Sequence, residues 1–271
     1  MTGARQRRRV AVAGASGRMG HALVEAIAAS PDLVLAAAFD VAGSAAIGSD
    51  ATAFLGRPSG VVVTGDARAA LAASEVLIDF TRPVGTLAHL ALCRELGVAA
   101  VVGTTGFDAA QKRAIAAHAE RIAIVLAPNM SIGVNVVLKL LDVAGRALAE
   151  GFDVEIVETH HRMKVDAPSG TALLLGEAAA SGRGIGLAQM SARGRDGITG
   201  KREPGTIGFA SLRGGSVAGD HTVHFLSDNE RLSLSHLAEN RSIFAKGAVR
   251  AAQWLLGQPA GRYTMPEVLG L

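Results

Sequence analysis

The 271-residue chain sets 27 Lys and Arg against 24 Asp and Glu, a formal charge of +3, and 49% of its residues are hydrophobic. That apolar content supports well-buried cores and argues against long disorder, while the length suggests two domains. The one dense basic run, Arg5-Gln6-Arg7-Arg8-Arg9, lacks interleaved aromatics, no apolar run is long enough to cross a bilayer, and Cys93 is the only cysteine, so nucleic acid, membrane and internal disulfides are all disfavoured.

Arg9 to Gly14 is a short apolar run ending in glycine, which predicts a buried parallel strand. Gly14-Ala15-Ser16-Gly17-Arg18-Met19-Gly20 then opens an amphipathic helix running to about Ala29. This is the strand–turn–helix setting of a dinucleotide fingerprint, although the spacing is GxxGxxG rather than GxGxxG. Gly14 is expected to make the tight turn, Gly17 to let backbone approach a pyrophosphate, and Gly20 to permit close helix–strand packing. Arg18 stands at the helix start, where its guanidinium can pair with phosphate oxygens.

The next strand, Leu33 to Phe39, ends in Asp40, where a ribose-binding carboxylate belongs. Val41 follows rather than a basic residue. A carboxylate with no neighbouring cation favours NAD over NADP, whose 2′-phosphate it repels; Arg18 and Arg82 remain open as substitutes.

Gly43 to Gly60 reads as a loop-like insert, followed by strands at Val61 to Val63 and Val76 to Phe80. Thr81-Arg82-Pro83 lies at the carboxyl end of the second of these. A helix over Pro83 to Leu96 leads to a strand over Val98 to Val102, which ends in Gly103-Thr104-Thr105-Gly106. A helix over Phe107 to Arg121 leads to a strand over Ile122 to Leu126, which ends in Ala127-Pro128-Asn129-Met130. Alternating strands and helices predict a parallel sheet with right-handed crossovers, and such sheets bind ligands at the strands' carboxyl ends. Gly103 to Thr105 and Ala127 to Met130 are therefore candidates to line a nicotinamide.

A long apolar-rich helix over Gly133 to Ala149 leaves the first domain, and Phe152 to Glu158 alternates like a strand. That strand delivers the loop His160-His161-Arg162-Met163-Lys164. Imidazoles exchange protons near neutral pH, and a lysine ammonium is a compact cation whose pKa shifts readily on burial. Pro168-Ser169-Gly170-Thr171 reads as a helix start, whose free N–H groups, hydroxyls and positive dipole make an anion seat. A substrate carrying carboxylates would sit there, within reach of an acid and a cation.

The Gly- and Arg-rich stretch from Gly182 to Gly205 reads as a flexible or partner-covering loop. Thr206 to Leu212, His221 to Leu226 and Arg231 to His236 are expected as successive strands, and the last helix runs from Asn240 to about Leu256. The change from alternating to consecutive strands marks a second, α+β domain over 131–239, with 1–130 and 240–271 forming the first. Its open mixed sheet could pair with that of another subunit. His221, His224 and His236 lie on these strands without Cys or close acidic partners, so strand polar faces explain them better than a metal site.

With these residues in place, nearly the whole chain resembles the 4-hydroxy-tetrahydrodipicolinate reductase (dihydrodipicolinate reductase) family of bacterial and plant lysine biosynthesis. The resemblance is carried by Val12 to Gly20, Asp79 to Pro83, Val102 to Phe107, Asn129 to Asn135 and Pro204 to Phe209, and most of all by His160 to Thr171. It implies a Rossmann-like parallel-sheet domain for the dinucleotide and a second α+β domain with an open mixed sheet. It also implies a cytoplasmic homotetramer that uses NADH or NADPH to reduce a cyclic imine dicarboxylate to tetrahydrodipicolinate.

Carried over by position, His160 is the catalytic acid/base and Lys164 the second proton donor or charge stabiliser. His161, Ser169, Gly170 and Thr171, with Arg241, would hold substrate carboxylates. Gly14, Ala15, Ser16, Gly17, Arg18, Met19, Asp40, Gly103, Thr104, Thr105, Ala127, Pro128, Asn129 and Met130 would hold the cofactor. The family often places Arg or Lys after the ribose acid; Val41 departs from this, which favours NADH. No metal is implied. Two alternatives stand beside this reading. Another two-domain NAD(P) dehydrogenase of the aspartate-semialdehyde type would need a nucleophilic cysteine. A dinucleotide-sensing regulator would not need the His-His…Lys cluster.

Overall fold

A computed structural model describes residues 7–271, so Arg5 and Gln6 of the basic run lie outside the described residues. Two compact units emerge, one reaching to Ile132 and resuming over Arg241–Leu271, the other spanning Gly133–Asn240.

The first unit opens with β1 (Arg8–Ala13), α1 (Arg18–Ala28) and β2 (Leu33–Phe39). In β1 alternate side chains enter different cores, as a period of two requires. Val10 and Val12 pack with Leu23 and Ile27 of α1, while Ala11 and Ala13 face the opposite layer with Leu71 and Leu90. A strand buried on both faces must read as a continuous apolar run, and this one does. The insert after β2 is more ordered than its composition suggests. Asp50 gathers it by accepting the backbone N–H groups of Thr52, Ser59 and Gly60 at 2.8, 3.1 and 2.7 Å.

There follow β3 (Val63–Thr64), α2 (Ala67–Ala72), β4 (Val76–Asp79), α3 (Pro83–Leu96), β5 (Ala99–Val102), α4 (Ala109–Ala119) and β6 (Ala123–Leu126). Pro83 begins α3 at a position where its missing N–H costs nothing, and Gly97 ends it in the left-handed conformation. Asp108 and Gln111 form a reciprocal capping box on α4.

The second unit is built on α5 (Ile132–Ala147), β7 (Asp153–His160), α6 (Gly170–Gly182), α7 (Leu187–Met190), β8 (Ser191–Arg193), β9 (Ile207–Arg213), β10 (Gly219–Leu226) and β11 (Arg231–Ala238). Its five-stranded sheet runs β11-β10-β7-β9-β8 and is mixed. β10 is antiparallel to β7 and β11, whereas β7–β9 and β8–β9 are parallel. One face, through Ile156, Phe209 and Val223, packs with Leu141 of α5 and Leu175 of α6. Helices α5 and α6 meet through glycine, for a Cβ on Gly145 would lie 2.7 Å from the Ala179 carbonyl. The opposite face carries Leu212 and Leu237, both mainly exposed.

The 182–205 stretch differs from expectation. It contains a short helix and the edge strand β8. Arg195 and Arg202, which compositionally suggested flexibility, both bind the Glu155 carboxylate.

The chain then adds α8 (Ser242–Leu255), β12 (Gly261–Tyr263) and α9 (Met265–Leu269) to the first unit. The seven-stranded sheet is ordered β12-β6-β5-β4-β1-β2-β3, and its pairings are parallel throughout. Among the described residues, no helix is long and apolar enough to cross a membrane.

Candidate active site

In the first unit, a groove of about 940 Å³ at the carboxyl ends of the central strands is lined by Gly14, Gly17, Arg18, Asp40, Thr81 and Arg82, among others. Gly14 has φ +64°, a conformation that favours glycine, and a Cβ there would come within 3.0 Å of Thr81. A Cβ on Gly20 would collide with the backbone of Gly14 and Ala15, so α1 could not start so close to the turn with any other residue. The Asp40 carboxylate is already aimed. Oδ2 accepts from Ser16 N at 3.0 Å and Ser16 Oγ at 2.5 Å, and Oδ1 accepts from Val41 N at 2.8 Å. Partial burial opposes its ionisation, but the Ser16 and Val41 hydrogen bonds prevail and hold the carboxyl below its ordinary range. Val41 beside it is exposed and apolar.

Several sequence-predicted cofactor residues lie in the structure with their side chains turned away. Ala15 and Met130 are core residues and Met19 packs against that core. Thr104 is buried, its hydroxyl 2.8 Å from that of Thr86. Gly103 follows β5 at a point where a Cβ would strike the Phe80 ring. Asn129 Oδ1 accepts the Ser131 N–H at 2.9 Å, which fixes the turn Ala127-Pro128-Asn129-Met130 after β6. Arg82 is the N-cap of α3, at the groove. Sequence reasoning passed over His89, which lines the groove and places Nδ1 2.8 Å from the fully buried Asp79.

In the second unit, strand β7 extends through His160, so this histidine stands on the sheet rather than in the loop after it. Alternation puts Glu158 and His160 on one face, where Glu158 lies opposite His221 of β10 and Ser211 of β9. Both oxygens of the buried Glu158 carboxylate are engaged. Oε2 lies 2.5 Å from His160 Nδ1 and 2.9 Å from Arg213 Nη1; Oε1 lies 2.8 Å from Arg213 Nη2 and 3.2 Å from Ser169 N. Burial resists ionisation of this carboxyl, yet hydrogen bonds from Arg213, Ser211 and His160 hold it at about 2. His160 is pushed below the usual imidazole value by burial, which outweighs the pull of Glu158.

Ser169 is the N-cap of α6, accepting the Ala172 N–H at 3.1 Å and contacting His221 Nε2 at 2.9 Å. Its hydroxyl thus caps the helix and meets the buried ring at once, and Gly170 and Thr171 follow as the first helical residues. Burial, with His160 nearby, pushes His221 down to about 4, and its ring meets His160 edge-on at 5.0 Å. The polar-face reading of His221 is therefore incomplete, since the side chain belongs to this cluster. Lys164 Nζ binds Asp166 at 2.7 Å, and His161 donates its backbone N–H to Val217 at 2.8 Å. Arg241 is the N-cap of α8, in the first unit.

Cys93 is fully buried, and burial together with the nearby Asp79 pushes its thiol up to about 12. A thiol held that high supplies no thiolate nucleophile.

Comparison with known proteins draws both units together. Residues 8–130 match the family model described as dihydrodipicolinate reductase, N-terminus, and residues 133–269 match the C-terminus of the same family. A 4-hydroxy-tetrahydrodipicolinate reductase of Herminiimonas arsenicoxydans is 54% identical over 97% of this chain and 98% of its own. That of Thiobacillus denitrificans is also 54% identical, with the same coverage. Among solved structures, the dipicolinate-bound dihydrodipicolinate reductase from Paenisporosarcina sp. TG-14 superposes with a TM-score of 0.77 at 24% identity, covering 97% of this chain and 99% of that one. An aspartate semialdehyde dehydrogenase from Vibrio cholerae shares the fold at a TM-score of 0.55 and 13% identity, covering 93% of this chain and 99% of its own. On a two-part family match over almost its full length and on relatives more than half identical, the chain belongs to the dihydrodipicolinate reductase family.

Proposed function

We propose that this chain reduces 4-hydroxy-tetrahydrodipicolinate to tetrahydrodipicolinate in the lysine and diaminopimelate route, with NADH preferred, as a cytoplasmic homotetramer. In this reading the first unit holds the dinucleotide and the second holds substrate and makes subunit contacts. The observation that carries it is the second unit's cluster, in which a strand end, the loop after it and a helix start supply a buried imidazole, a lysine ammonium and a helix N-terminus. A sensor that only bound dinucleotide would need none of these.

The groove residues fit a nicotinamide dinucleotide: a turn bracketed by Gly14 and Gly17 for the pyrophosphate, Arg18 for its charge and a fixed carboxylate for a ribose. Gly103 to Thr105 and Ala127 to Met130 would line the nicotinamide, chiefly through backbone. When bound, the dinucleotide supplies a hydride. Reduction of the substrate ring builds negative charge toward its nitrogen and the adjacent carbon. Lys164 stabilises that charge, and His160 delivers the proton. His161, the N–H groups at Gly170 and Thr171, and Arg241 hold the substrate's carboxylates.

NADH is favoured because Asp40 is ionised and exposed Val41 offers no partner for a 2′-phosphate. The tetramer is supported by the uncovered sheet face with Leu212 and Leu237. The test is oxidation of NADH and of NADPH with substrate generated in situ by a synthase. Faster turnover with NADH is expected; a clear NADPH preference would overturn the account of the ribose site, and no turnover with either would overturn the reductase reading.

A further inference from the structure

We infer that Glu158, clamped by Arg213, is the positioning residue for proton transfer: it turns the His160 Nδ1–H inward and so assigns Nε2 as the nitrogen that exchanges the proton with substrate. The inference rests on the reductase reading above and adds to it a residue that acts through His160 rather than on the substrate.

The geometry leaves one arrangement of hydrogens. An ionised carboxylate only accepts, so the 2.5 Å contact from His160 Nδ1 to Glu158 Oε2 places a hydrogen on Nδ1. In the neutral ring Nε2 is then bare, and in the imidazolium it carries the transferable proton. Glu158 cannot turn aside. The Arg213 fork grips both its oxygens and Ser169 N donates to Oε1, so the carboxylate that orients the acid also anchors the start of α6. Arg213 is held in turn, donating to the backbone carbonyl of Asp166 at 2.7 Å. On the other side of the ring lies Gly219 of β10, where a Cβ would come within 2.9 Å of Nε2. The lack of a side chain there keeps Nε2 open.

The charges facing His160 act in opposite senses. Glu158 of β7 favours the imidazolium, whereas Lys164 of the following loop and Arg213 of β9 disfavour it. Asp166 pairs with Lys164, and His221 of β10 is neutral at working pH. Removing only the Glu158 charge leaves the two cations unopposed. His160 must then titrate at a lower pH, and the fall in rate on the alkaline side must move to lower pH with it.

The test uses the full chain labelled with ¹⁵N-histidine, the His160 signals being those lost in His160→Gln. Imidazole nitrogens are followed against pH in the wild type, Glu158→Gln and Glu158→Asp, beside pH profiles of kcat and kcat/KM. The wild type is expected to show the Nδ1–H tautomer. Glu158→Gln should titrate lower and lose kcat by about 10²-fold, the scale of general-acid catalysis, with KM little changed. Glu158→Asp, which keeps the charge, should restore the titration toward the wild type. An Nε2–H tautomer in the wild type overturns the inference even if Glu158→Gln fails to fold, and so does a folded Glu158→Gln with an unchanged titration. The spectra need no substrate, so a wild type with the Nδ1–H tautomer and no turnover would support the ring's orientation and overturn the reductase reading alone.

Discussion

Asp40 is the residue on which the proposed preference for NADH rests. Its carboxylate is fixed by Ser16 and by the Val41 N–H, and Val41 adds no charge beside it. Val41→Arg should therefore raise kcat/KM for NADPH by about tenfold, because a guanidinium pairs strongly with a phosphate. Steady-state kinetics with both dinucleotides checks this; an unchanged ratio would place the 2′ position away from Val41. At this scale the sequence made Asp40, His160 and Lys164 visible because local spacing carried them. Glu158 and His221 stayed hidden for a physical reason. Their partners come from elsewhere in the chain, Arg213 lying 55 positions from Glu158 and His221 lying 52 from Ser169, and no short motif spans such a distance. The strand alternation through Phe152 to Glu158 held part of the signal, since it predicts a buried Glu158, and a buried carboxylate needs a cation.

At the scale of elements, the helix that starts at Arg18 depends on Gly20. A methyl group there meets the backbone of Gly14 and Ala15, which cannot yield as a flexible side chain would. Gly20→Ala should destabilise the first unit by about 1–3 kcal/mol, as overpacking does, and weaken NADH binding together with stability. Urea unfolding and dinucleotide titration measure the two effects; full stability with normal affinity would show that the turn relaxes easily. Elements with long patterns were legible: α3 was expected and found over Pro83–Leu96, and β2 over Leu33–Phe39. Short ones were not. The three residues of β12 and of β8 give too few alternations to stand out, and each becomes a strand only because a longer neighbour, β6 or β9, offers an edge.

At the scale of the whole molecule, protonation and assembly are the accessible properties. Glu158 is lowered from 4.5 to about 2 and His221 from 6.5 to about 4. In both cases the unfolded chain binds more protons, so stability is lost as the pH falls, from 6.5 toward 4 through His221 and from 4.5 toward 2 through Glu158. Hydrogen exchange of the β7 and β10 amides should therefore speed up as the pH falls below neutral, after correction for intrinsic rates. His221→Gln should flatten the upper part of that dependence; the same slope in the variant would contradict the assignment. For assembly, Leu237→Glu places a charge on the uncovered face of the five-stranded sheet. It should shift the proposed tetramer toward smaller species in sedimentation, and an assembly state unchanged from the wild type would contradict an interface on this face.

The central claim is the role proposed for His160, that it gives the proton to the substrate. Wild type and His160→Gln, compared for kcat and for NADH affinity on the same preparations, test it most directly. The account predicts turnover by the wild type, a fall in kcat of about 10²- to 10⁴-fold in the variant, and NADH affinity within error of the wild type. A variant that keeps its kcat, or one that loses NADH affinity in step with turnover, would contradict it.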